Sequence, residues 1–217
     1  MISSVIFDLN GTIVDDEPVH EVAFRGICSH HKVDLKHEDY QELCFGKSDR
    51  DGFESIVRKY KLARPDINEL ISKKREEYLR LIQGHVRAVP GVIEFISSLH
   101  GKFKLGVASG AVKKEIILIL EYLNIKDFFS VIVSTDEVSM GKPNPAIYEL
   151  ALSKIGSVSA EALAIEDSMS GILSAKGAGL KCVGVTTTHS RSVLASVHPD
   201  LIIDSFAELN EKVIREL

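Results

Sequence analysis

The chain has 217 residues, enough for one medium domain carrying an insertion or for two small domains. Hydrophobic residues make up 45% and charged residues 26%, the balance of an ordinary globular protein, and a formal net charge of −5 offers no basic face for a nucleic acid. No apolar run is long enough to cross a bilayer and the N-terminus lacks a signal pattern, so neither a membrane nor a nucleic acid is expected as a partner. Three cysteines, Cys28, Cys44 and Cys182, lie far apart with no Cys-x-x-Cys pair. That argues against a disulfide frame or a zinc site, fits a reducing compartment and predicts a cytoplasmic protein.

In chain order, the first predicted strand is SSVIFDL (3–9), followed by Asn10-Gly11, a strong turn signal in its own right. Residues 15–83 contain no good strand. They read as helices over 18–31, 37–45, 49–60 and 66–83, with Val19, Ala23 and Ile27 sharing one face of the first. The charged run KKREE (73–77) reads as a solvated helix face, with Lys73 and Glu77 paired at i, i+4. Pro90-Gly91 marks the return to strands at FKLGVAS (103–109), VIVST (131–135), ALAIED (162–167), KCVGVT (181–186) and LIID (201–204). These runs are nearly continuous in apolar residues, which suits a parallel sheet covered by helices on both faces. Helical patterns fall between them at 111–123, at 145–156 (proline first, glycine last) and at 170–179. The expected fold class is α/β: a Rossmann-like parallel-sheet core, residues 1–14 and 84–217, with an inserted all-helical cap domain, residues 15–83.

In an open parallel sheet, ligands bind beyond the carboxyl ends of the strands. Asp8, Ser109-Gly110 and Glu166-Asp167-Ser168 stand at three such ends, and Lys142 lies in the loop after a fourth strand. Each has a plain structural reading: Asn10-Gly11 as a turn, Ser109 and Ser168 as helix caps, Lys142 as a surface charge. Their convergence on one sheet edge instead suggests a site for a metal and an anion.

Taken together the motifs resemble the haloacid dehalogenase-like superfamily, in its phosphatase and β-phosphoglucomutase branch. The motifs are Asp8-Leu9-Asn10-Gly11-Thr12, then Ser109, then Gly141-Lys142-Pro143-Asn144-Pro145, then Glu166-Asp167-Ser168 with Gly171 and Gly177 to Gly179, and the helical insertion follows the first of them. The resemblance implies that Asp8 is a nucleophile that takes the phosphoryl group of a small phosphorylated substrate. It implies Mg²⁺ held by Asp8, the main-chain carbonyl of Asn10 and Asp167, with Glu166 in or near the shell. Lys142 would neutralise charge on the transferring group. Ser109 and Gly110, with Thr12 and nearby amides, would cradle its oxygens. The acidic pair Glu166-Asp167 argues for phosphate chemistry over dehalogenation. From the cap, His20, Arg50 and Lys74 are candidate substrate contacts; their alternative readings are a structural histidine and two solvated charges. His30-His31 has no partner at metal-ligand spacing and is given no role.

Asn10 is the one departure. The family's phosphatases and mutases carry an aspartate there as general acid and base, and an amide cannot exchange a proton in that role. An engineered substitution is the favoured explanation, every other motif being intact; a natural loss that leaves a phosphoester-binding protein, and a different chemistry, are the others. The sequence therefore points to a Mg²⁺-dependent phosphatase of small phosphorylated metabolites, sugar phosphates first among them, impaired at residue 10, in a monomer or weak homodimer. A sugar phosphomutase and a non-catalytic binding protein are the competing readings.

Overall fold

The computed structural model describes residues 1–63 and 65–217. The chain divides into two compact units, Met1–Asp15 with Arg87–Leu217, and Asp16–Val86.

The first unit is built on six strands: β1 (Ser4–Phe7), β2 (Lys104–Ser109), β3 (Val131–Ser134), β4 (Ala162–Glu166), β5 (Lys181–Val185) and β6 (Leu201–Ile203). Their order is β3-β2-β1-β4-β5-β6. Every neighbouring pair is parallel, so the order reverses at β1. Such a reversal parts the loops on either side of the central strand and leaves a crevice at its carboxyl end. The hydrophobic run of β1 is explained by burial on both faces. Ile6 packs with Ala108, Ala164, Ile147 and Tyr148, whereas the ring of Phe7 lies 6.1 Å from Phe95 and 5.9 Å from Phe129.

Helices α1 (Glu17–His30), α2 (His37–Leu43), α3 (Asp49–Tyr60) and α4 (Ile67–Ile82) form the second unit, inserted between β1 and β2. Its core gathers Phe24, Ile27, Tyr40, Leu43, Phe53, Ile56 and Leu70 around Cys28 and Cys44. The sheet unit adds α5 (Val92–Leu99), α6 (Lys113–Tyr122), α7 (Ala146–Ile155), α8 (Met169–Gly177), α9 (Arg191–Ala195) and α10 (Glu211–Glu216). The chain thus has the expected α/β architecture with a helical insertion. Helix α5 has no counterpart among the sequence expectations; it starts just after Gly91, whose positive φ of 81° makes the turn into it.

Two local readings change. Asn10-Gly11 does not open a hairpin of two strands: the amides of Thr12, Ile13 and Val14 all turn back onto the Leu9 carbonyl. On α4, Lys73 pairs with Glu69 at 2.7 Å, and Glu77 is held by Arg80 at 2.6 Å. The run 73–77 is not uniformly a solvated face either, because Lys74 is only 2% exposed.

Candidate active site

Asp8 is the first residue past β1, at the point where the strand order reverses. Its amide still donates to the Ile165 carbonyl of β4 at 3.0 Å, which fixes the main chain, and the residue is 7% exposed. Parallel register sets Phe7 beside Val107 and Ile165, so Ser109 and Glu166 emerge at the same edge of the sheet.

Lys142 joins these strand ends. Its ammonium donates to Asp8 Oδ1 at 2.5 Å, to Glu166 Oε1 at 2.6 Å and to the Ala108 carbonyl at 3.0 Å. All three donors of the ammonium are thereby used. Glu166 is fully buried and well supplied, for the Tyr148 hydroxyl also reaches Oε1 at 2.7 Å and Ser168 Oγ donates to Oε2 at 3.3 Å. A glycine is required beside it: a Cβ on Gly171 would stand 1.9 Å from Glu166 Oε2. Gly11 plays the matching part for Asp167, because a Cβ there would lie 2.0 Å from Asp167 Oδ2, and its φ of 71° also favours glycine.

The electrostatics follow from burial. Asp8 is pushed up to about 7, first by burial, against the pull of Lys142 and with help from Glu166. Burial, then the charges of Asp8 and Glu166, hold Asp167 well above the ordinary carboxylate range. Burial alone would lower Lys142, but Asp8 and Glu166 more than offset it and the lysine is raised. Three carboxylates able to bring oxygens within 4.8 Å of one another therefore meet here, and the Lys142 ammonium pairs with two of them, Asp8 and Glu166. This surplus of buried negative charge on hard oxygen donors fits a divalent cation such as Mg²⁺. Asp8 and Asp167 are the better-suited donors, since the oxygens of Glu166 are already engaged by Lys142, Tyr148 and Ser168.

Ser109 Oγ accepts from the Ala111 amide at 3.1 Å and approaches Asn10 Oδ1 at 3.4 Å, so Ser109 joins the cluster through Asn10. Gly110 is exposed at the end of β2, and a Cβ on it would meet nothing within 4 Å. Thr12 differs: it is fully buried, and its hydroxyl has no hydrogen-bond partner among the described residues.

The remaining sequence candidates belong to the helical unit. His20 Nε2 faces Asp16 Oδ2 at 3.1 Å, and His20 Nδ1 lies 2.5 Å from the Lys74 nitrogen, which in turn reaches Asp49 Oδ1 at 2.7 Å. An ammonium has no lone pair, so in this contact a Lys74 ammonium can only donate, and Nδ1 of His20 must accept. Burial and Lys74 push the His20 imidazolium down, Asp16 and Asp49 push it up, and the net direction is up. The ring stacks on Tyr78 at 4.4 Å, and Tyr78 donates to Asp16. Lys74 is therefore a buried, paired cation with the Phe24 ring 5.0 Å away, and its reading as a solvated charge is corrected. Arg50 is exposed, donating to Asn68 at 2.6 Å.

Sequence reasoning missed Tyr148, Thr187 and Thr188. Tyr148 lies in the apolar stripe of α7 and reads as core. Thr187 donates to the Gly11 carbonyl, and Thr188 Oγ1 stands beside the Asp167 carboxylate against Gly11. Their signal was available, since a run of three threonines begins at residue 186, at the carboxyl end of a predicted strand.

Residues 5–185 match the family model described as haloacid dehalogenase-like hydrolase. The chain belongs to this haloacid dehalogenase-like hydrolase family. Protein CbbY of Cereibacter sphaeroides is 30% identical over 221 residues, covering 96% of this chain and 94% of CbbY. The phosphorylated carbohydrates phosphatase of Thermotoga maritima is 29% identical over 179 residues, 82% of each chain. Among solved structures, an aspartate-to-asparagine mutant of CbbY from Rhodobacter sphaeroides in complex with xylulose-(1,5)bisphosphate superposes with a TM-score of 0.83 at 29% identity, over 97% of both chains. The haloacid dehalogenase-like assignment thus rests on both sequence and fold.

Proposed function

We propose that this haloacid dehalogenase-like protein is a Mg²⁺-dependent phosphatase of small phosphorylated metabolites, sugar phosphates above all, acting through a phosphorylated Asp8. The observation that carries the reading is the junction of Asp8, Lys142, Glu166 and Asp167 at the reversal point of the sheet. The naming of relatives after phosphorylated carbohydrates and the binding of a sugar bisphosphate by CbbY support the substrate class.

Asp8 Oδ would attack phosphorus, forming an oxygen–phosphorus bond as the ester oxygen leaves with its electron pair. Water would then attack the phosphoryl-aspartate, releasing inorganic phosphate and restoring the carboxylate. Asp8, the main-chain carbonyl of Asn10 and Asp167 would hold Mg²⁺, which when bound supplies positive charge that lets an anionic carboxylate approach an anionic phosphoester. Lys142 neutralises the same charge from the protein side, and Glu166 with Tyr148 keeps its ammonium aimed at Asp8. Ser109, with the exposed Gly110 beside it, is the donor to a phosphoryl oxygen. The departing oxygen needs a proton. Asn10 can only hydrogen-bond to it, so catalysis in this chain is slow for poor leaving groups.

Asn10 also favours a second reading, a protein that binds a phosphometabolite without turning it over. One experiment separates them: Asn10→Asp, assayed with a panel of sugar phosphates and Mg²⁺. Phosphate release about 10²- to 10⁴-fold faster than the parent supports the phosphatase. Isomerisation stimulated by a sugar bisphosphate identifies a mutase, and silence with retained ligand binding identifies the binding protein.

A further inference from the structure

The loop that leaves β5 carries Thr186, Thr187, Thr188 and His189, and it reaches two other strand ends at once. On one side the Thr187 hydroxyl donates to the main-chain carbonyl of Gly11. On the other, Thr188 Oγ1 stands beside the Asp167 carboxylate, both of them against Gly11, and Thr188 works against the upward push of burial on that carboxyl. Between them the Thr188 oxygen and Asp167 Oδ2 both crowd Gly11, at 2.6 Å and 2.0 Å from where a Cβ would stand. The turn after β1 and the residue after β4 are thus held together by a third element that supplies no carboxylate of its own.

We infer that Thr187 and Thr188 form a clamp that sets the distance and orientation between the Asn10-Gly11 turn and Asp167, and so preorganises the divalent-cation site. Thr187, bonded to Gly11, and Thr188, beside the Asp167 carboxylate, are its positioning residues. The inference rests on the proposed reading of Asp8, Asn10 and Asp167 as metal-holding groups.

The physical case has three parts. A carboxylate with a free χ2 samples many orientations, and a hydrogen bond to one oxygen selects among them while leaving the other oxygen for a cation. Threonine suits the task because branching at Cβ restricts χ1, so the hydroxyl direction is set by the main chain. The main-chain carbonyl of Asn10 cannot move independently of Gly11, and Thr187 restrains Gly11 through its own carbonyl. Outer-shell hydrogen bonds of this kind are typically worth about 10- to 100-fold in metal affinity.

The test uses Mn²⁺ as the probe, titrated into the full chain and read by electron paramagnetic resonance as loss of the free-ion signal, which requires no turnover. Thr188→Val keeps the shape and removes the hydroxyl; it should weaken Mn²⁺ binding about 10- to 100-fold. Thr188→Ser returns the hydroxyl and should restore most of the loss. Thr187→Val, at an exposed position, severs the other arm and should also weaken binding, which keeps the inference testable if Thr188→Val does not fold. Unchanged Mn²⁺ affinity in the folded valine variants overturns the clamp while leaving the metal-site reading intact. Weakened binding that serine fails to restore assigns the effect to packing and also overturns it. A parent chain that takes up no Mn²⁺ overturns the metal-site reading, and the clamp with it.

Discussion

The Lys142 ammonium stands 2.5 Å from the Asp8 carboxylate, although 134 residues separate the two in the chain. The contact exists because β1 is flanked by β2 and β4 in parallel register and the loop carrying Lys142 crosses over their ends. In the proposed reaction it would place a cation where an incoming phosphoryl group and the Asp8 carboxylate otherwise repel each other.

Removing that cation should damage both chemistry and fold. In the Asn10→Asp background, Lys142→Met is expected to lower phosphate release about 10²- to 10³-fold. It also strands buried Asp8 and Glu166 without their counter-ion, at a cost of about 3–5 kcal/mol in urea unfolding. Added Mg²⁺ should recover part of that stability, and full activity in the methionine variant would contradict the assignment.

Tyr148 should behave as a support for Lys142 rather than as a reacting group. Its hydroxyl is buried and donates to Glu166 Oε1 at 2.7 Å, so Tyr148→Phe removes one bond to a charged acceptor and little else. A loss of about 1.5–3 kcal/mol in urea unfolding is expected. An unchanged midpoint would show that Glu166 does not need this donor.

The sequence made the sheet legible because its strands are short, apolar on both faces and separated by punctuated helices. It made Asp8, Glu166 and Asp167 legible because ligand sites of such sheets form at strand ends, and strand ends can be read from where apolar runs stop; Lys142, in a loop, was legible through its motif. Lys74 was misread for a physical reason. Local charge pattern shows five consecutive charged residues, and only the packing of α4 against α1 buries one of them beside His20. Tyr148 was hidden because a tyrosine that packs as core and one that donates to a buried carboxylate look alike in sequence. Thr187 and Thr188 were visible by position, but their partners, Gly11 and Asp167, are set by tertiary contact alone.

Glu17 gives the helical unit a pH signature. Its carboxyl is raised above the ordinary glutamate value, mainly by burial, with Asp16 adding to the rise and His20, Lys74 and the Tyr40 hydroxyl at 2.6 Å opposing it. A raised folded-state value means the native chain binds this proton more readily than the unfolded chain. The contribution to stability is therefore present below the ordinary glutamate range and is lost as pH rises through the folded value. Glu17→Gln keeps an acceptor for Tyr40 and removes the half-buried charge. It should melt higher than the parent at pH 7 and show no advantage near pH 4, as followed by calorimetry. A variant less stable than the parent at pH 7 would reverse this reading.

The most direct test of the central claim is intact-mass and peptide analysis after incubation with an acyl phosphate and Mg²⁺. An acyl phosphate carries a good leaving group and needs no proton from residue 10, so the chain as it stands should gain one phosphoryl group on the peptide containing Asp8. The adduct should vanish with Asp8→Asn and with chelation of Mg²⁺. A chain that is never phosphorylated, or one phosphorylated equally well without Asp8, would contradict the account.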